Sequence, residues 1–451
     1  MISRSGSNCK RLADYKSEAP IMSKKISGCL ALLTLLCLCS GSFLPRGHAQ
    51  TGAAAGTVQN AAIVSTTAAV LKETSELREL PILKAVKSGA QSRAEIERMI
   101  IRNLDDETTP AEMHAAEMTL KAFGLAPESF SYRPFLIKLL TEQVAGYYDP
   151  KVQQFYLADW IELEGQKPVM AHELTHALQD QHFNLKRFEN WPKGDSDAEL
   201  AAHALIEGDA TLAMTLYMAK NPLVALAFIK SLGSQDLATE QFKQAPRALR
   251  ESLLFPYEEG SAWATQLYKR GGWELVSRAF TKLPQSSEQI LHADKYFSYE
   301  APQKLTLPDF KTVLGPSWKR IDYDVNGEWG CYLVLDEYLN DAVESKQASA
   351  GWAGDRFALY ETSKPGEVFI AQLTSWDTPN DAKEFFDAYA KRTTKRYADA
   401  KEVKNTAERI EWQTSSGSVA LELRGSRVAI VEGVPSSTDS NTLLRAIWNQ
   451  R

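Results

Sequence analysis

The stretch "VMAHELTHALQDQHF", Val169 to Phe183, contains neither glycine nor proline, so nothing in it interrupts an α-helix. It holds three of the chain's seven histidines, two of them flanking a glutamate as His172-Glu173-Leu174-Thr175-His176. Residues four apart on a helix lie about 40° apart around its axis, so His172 and His176 share one face. Apart from the motif itself, Val169 to Leu178 carries no charge, the pattern of a helix buried along the floor of a cleft. A chain that buries two imidazoles side by side must give them a partner. One Zn²⁺ is such a partner, with Glu173 beside it to take a proton from water.

Zinc in a catalytic site needs a third protein ligand. His182 follows His176 by six residues, but Gln179 stands where a glycine turn would be required. An uninterrupted helix carries His182 about 240° around from His176, away from the pair, and leaves it a helix-end residue. The next helical segment, "SDAELAAHALIEGDATLAM", places Glu199, His203 and Glu207 at intervals of four on one face. Glu199 has a structural role open to it, a capping box with Ser196. Glu207 follows Ala204-Leu205-Ile206, where an unpaired carboxylate is costly and a metal accounts for its presence. The expected ligand set is therefore His172, His176 and Glu207, with Glu199 and His203 as alternatives and His203 as a candidate supporting contact.

The His-Glu-x-x-His stretch resembles the active-site helix of zincin metallopeptidases, and "EGDAT" is similar to the Glu-Gly-x-Ala segment of their gluzincin branch. Less specifically, "LLTEQVAGYYDPKVQQFYLAD", "LLFPYEEGSAW", "LYKRGGWELVSRAF" and "LPQSSEQILHADKY" look like a largely uncharacterised family of bacterial secreted zincin-like proteins, over about residues 75–310. The resemblance implies a zinc-dependent peptidase acting on a peptide or protein, with Glu173 as general base and Glu207 as third ligand. It also implies an oxyanion donor downstream: His292 in "SSEQILHADKY" is the first candidate and Tyr257 in "LFPYEEG" the second. A zincin-fold scaffold with little turnover and a metal-dependent cell-wall amidase are the rival readings.

The rest of the chain sets the frame. Lys24-Lys25, the apolar run Ile26–Cys39 and the small-residue end at Ala49 predict a signal peptide over residues 1–49, with Met22 a possible true start, and hence a secreted or periplasmic protein. Four of the five cysteines fall in that segment, leaving Cys331 without a disulfide partner. Residues 1–49 carry seven Lys/Arg against two Asp/Glu, so the remainder is more acidic than the whole chain's net −6. That balance argues against nucleic acid and anionic membranes as partners, and no stable membrane insertion is expected after signal cleavage.

Residues 50–70, rich in Ala, Gly, Thr and Ser, read as a linker. A helical part, 71–140, opens the zincin-like domain, 71–320, and the sequence leaves open its removal as a pro-segment. Within it Ser92 and Glu95 form a capping-box pattern, Thr109-Pro110 starts a second helix that stops at Gly124, and His114 reads as a surface residue. A hairpin is expected at Val144–Leu157 around Asp149-Pro150, and it could offer an edge strand to an extended peptide. Beyond, 321–451 reads as an α+β domain. Its strands are "DRFALYE", "EVFIAQLTSW", "RIEWQTS", "SVALELRG" and "RVAIVEG", with helices near Trp329–Leu339, Asn380–Arg396 and Thr442–Asn449. The expected fold class is α+β, mainly helical first and antiparallel last.

Overall fold

Local signals at the helix starts are realised in the computed structural model, which describes residues 54–160, 163–188, 191–233 and 240–449. Ser92 and Glu95 form a reciprocal capping box on Arg93–Glu107, and Thr109 and Glu112 do the same on Pro110–Phe123, which ends at Gly124 with φ 77°. His114 is exposed and meets Glu361 at 2.8 Å. The expected signal peptide, 1–49, lies outside the described residues.

The expected linker is a helix instead, Ala54–Arg78. Alanine is the strongest helix former, and Ile63, Thr67, Val70, Leu71, Thr74 and Arg78 are buried along one face. Its apolar members pack on Met170, Ala171, Leu174 and Leu178, the back of the histidine-bearing helix. The low hydrophobicity of the segment hides a stripe that has a specific partner.

The hairpin forms as β2 (Gly146–Asp149) and β3 (Gln154–Ala158), with Asp149 Oδ1 accepting from the Lys151 N–H in the turn. A further strand, β1 (Lys87–Gln91), pairs in parallel with β3 and makes a three-stranded sheet of order β1-β3-β2. This leaves β2 as an edge, turned toward the histidine helix.

That helix, Lys167–Phe183, has Pro168 in its first turn and ends at Asn184 in the left-handed conformation. Ser196–Lys220 and Arg247–Ala279 complete a packed trio, and the last two cross at very close range. A Cβ on Gly208 would strike the carbonyl of Gly260, and one on Gly260 that of Ala204. Glycine at both positions lets the backbones touch, and a side chain there would force the helices apart. Gly208 adjoins Glu207, so this contact fixes the carboxylate's position along the trio. Among the described residues, no single helix is long and apolar enough to cross a bilayer.

The C-terminal part is an antiparallel sheet of seven strands in the order β4-β5-β6-β10-β9-β8-β7. They are β4 (Lys319–Asp324), β5 (Trp352–Glu361), β6 (Val368–Trp376), β7 (Lys401–Thr406), β8 (Arg409–Thr414), β9 (Gly417–Arg424) and β10 (Arg427–Val434). Alternation sorts side chains to two faces. Phe357, Leu359, Ile370, Val428 and Ile430 meet helices Gly327–Leu339 and Pro379–Arg396, whereas Ala358, Tyr360, Phe369, Ala429 and Val431 meet helix Ser440–Trp448 and the Leu305–Trp318 segment. Within this sheet, the two strands missing from the sequence reading, β4 and β7, are the charged edges, where burial gives little apolar signal. The two parts share cores: Trp329, Tyr332 and Leu333 pack with the helical part, and Ala122 and Phe123 with the sheet.

Candidate metal centre

Three side chains from two helices converge in the interior. His172 Nε2 lies 3.1 Å from Glu207 Oε2, His176 Nε2 lies 3.4 Å from the same oxygen, and the two Nε2 atoms are 3.2 Å apart. A tetrahedral zinc with bonds of about 2.1 Å holds its ligand atoms about 3.4 Å apart, so the triangle has the right size. Its donors, two imidazole nitrogens and one carboxylate oxygen, are a set that zinc accepts. Among the described residues this is the one group of three or more His, Cys, Asp or Glu with metal-site spacing. The cluster could hold a metal ion.

Electrostatics favour a cation there. All three residues are buried, at most 3 % exposed. Burial works against the charge of Glu207, but His176 and His172 overcome it and hold its pKa at about 2. Burial drives His172 toward the neutral form, despite its contact with Glu207. His176 is also opposed by burial, yet Glu207 and Glu173 raise its pKa to about 9. A divalent ion would take over the role of that proton and satisfy both imidazoles.

Glu173 stands one residue after His172, about 100° around the axis, and so faces β2 instead of Glu207. Its Oε2 accepts the backbone N–H of Tyr148 at 3.0 Å, from the edge strand. The carboxylate is thereby anchored beside the triangle without belonging to it. Tyr257, on helix Arg247–Ala279, stacks on His172 with ring centroids 6.1 Å apart. It borders the cluster, as the second of the two expected oxyanion candidates.

His292, the first expected oxyanion candidate, has a partner of its own. Its Nε2 lies 2.9 Å from Glu328 Oε1, and its ring is partly exposed. The short helix before it is tied by Ser287 N–H to Asp197, at the start of helix Ser196–Lys220. Glu207 is ten residues further along, about 15 Å at the helical rise. His292 therefore belongs to an ion-pair group with Glu328 and is not brought to the triangle.

His182 Nε2 donates to Pro81 O, 2.8 Å away at the surface, on a helix that runs on as expected. Asp195, not Ser196, caps the second helix, and Ser196 instead donates to Asp324. The expected Ser196–Glu199 capping box does not form, though Glu199 stays outside the triangle. His203 is buried one turn before Glu207, and burial lowers its pKa to about 4 against the pull of Glu207. It is a neutral neighbour of the cluster.

One residue that sequence reading passed over is central. Gln179, noted only for not being glycine, places Oε1 2.8 Å from His176 Nδ1 and donates through Nε2 to Ile206 O and Asp209. Its position three residues after His176, on the same face, was the available signal.

A domain family described as a domain of unknown function (DUF8575) matches residues 312–444, which cover the C-terminal sheet and its helices. No curated protein matches the chain, and no solved structure does.

Proposed function

We propose that the chain is a zinc-dependent peptidase of gluzincin type, secreted or periplasmic, that hydrolyses bonds in a peptide or protein. The observation that carries this reading is the convergence of His172, His176 and Glu207, with Glu173 held beside them. When bound, zinc supplies Lewis acidity, lowering the pKa of water toward neutrality and polarising a carbonyl. The chain's own residues do the rest. Glu173 accepts the proton of the attacking water and returns it to the leaving amine. The Tyr148 N–H fixes the carboxylate for both transfers. Tyr257, stacked on His172, is the residue whose hydroxyl would donate to a developing oxyanion. β2 is an edge of its sheet, and an extended peptide laid beside Glu173 would pair with the main-chain groups there that Glu173 does not hold.

Burial of the cluster supports a second reading, a metal-stabilised scaffold with little turnover. Digestion of a peptide library by the zinc-loaded chain separates the two. The peptidase reading expects cleavage that a chelator abolishes and zinc restores. Zinc binding without cleavage of any library peptide supports the scaffold.

A further inference from the structure

Arg78, the last residue of helix Ala54–Arg78, is fully buried. Its guanidinium grips Asp209 as a fork, with Nε 2.5 Å from Oδ1 and Nη2 3.1 Å from Oδ2. It also donates to Ser277 Oγ and lies 4.3 Å from the centroid of the Trp273 ring. Three helices thus meet on one side chain. Asp209 Oδ2 in turn accepts from Gln179 Nε2 at 2.9 Å, and that nitrogen also donates to Ile206 O at 3.0 Å. With Nε2 committed to two acceptors, the amide can present only Oε1 to His176 Nδ1. Once a metal ion displaces the proton held toward Glu207, an acceptor there keeps the remaining proton on Nδ1 of His176. The lone pair of Nε2 is then turned toward Glu207 and His172.

We infer that Arg78 is a positioning residue of the metal centre, acting through Asp209 and Gln179 on the ring of His176. Helix Ala54–Arg78 is accordingly a permanent part of the centre and not a detachable pro-segment. Without Arg78, Asp209 is a buried carboxylate without its cation, and the amide that orients His176 loses its fixed acceptor. The inference rests on the metal reading above.

Zinc affinity of the full chain, measured by competition with a chelator, tests it. Arg78→Met and Gln179→Met should each weaken binding by roughly 10–100-fold, the usual effect of losing an outer-shell partner. Arg78→Lys, which keeps the charge but not the fork, should recover part of the loss. The matched control is Arg392→Met, which breaks an equally buried pair with Glu432 in the C-terminal sheet and should bind zinc as the wild type does. If Arg78→Met does not fold, Gln179→Met decides, since it leaves the Arg78–Asp209 pair intact. Wild-type affinity in Gln179→Met, or an equal loss in Arg392→Met, overturns the inference. A wild-type chain that binds no zinc overturns the metal reading and this inference with it.

Discussion

Glu207→Ala will weaken zinc binding by about a thousandfold or more, beyond the roughly 10–100-fold of an outer-shell change, while His182→Ala will leave it within a few-fold. The carboxylate is the sole anionic corner of the triangle, 3.1 and 3.4 Å from the two imidazoles. Its removal leaves His172 and His176 facing each other in an interior that opposes a charged histidine. His182 instead contacts Pro81 O on the surface. Chelator competition on both variants reads the difference. Tight binding retained in Glu207→Ala would move the third ligand to Glu199 or His203.

Glu173→Gln should lower kcat by about 10²–10⁴-fold and leave zinc affinity within a few-fold. The amide cannot take a proton from water, yet its Oε1 can still accept the Tyr148 N–H that now meets Glu173 Oε2. The variant therefore keeps its fold and its ligands and loses only the base. Steady-state cleavage of the best library peptide, together with zinc affinity, checks both halves. Turnover at the wild-type rate would remove Glu173 from the reaction.

The centre was legible in the sequence where local rules dominate. The absence of glycine and proline from Val169 to Phe183 gives one continuous helix, and four-residue spacing puts His172 and His176 on one face. Glu207 stood out because a carboxylate among Ala204, Leu205 and Ile206 needs a partner. What escaped depends on contacts distant in the chain. β1, "KSGAQ", has no β-branched or aromatic residue and is a strand because β3 offers it an edge. Helix Ala54–Arg78 looked like a linker because its stripe is sparse, although Arg78 reaches Asp209 across 131 residues. His292 is expected from resemblance alone, whereas the Ser287 N–H ties its segment to Asp197 and its ring pairs with Glu328. The Ser196 cap was off by one residue, since both Asp195 and Ser196 can accept an N–H and a tertiary contact with Asp324 claims Ser196.

The central claim is that His172, His176 and Glu207 together hold one metal ion. Its most direct measurement is the anomalous difference density at the zinc edge in crystals of the zinc-reconstituted full chain. A single strong peak per chain is expected within about 2.0–2.2 Å of His172 Nε2, His176 Nε2 and a Glu207 carboxylate oxygen. Crystals that show no peak among these three side chains, or a peak on other ligands, contradict it.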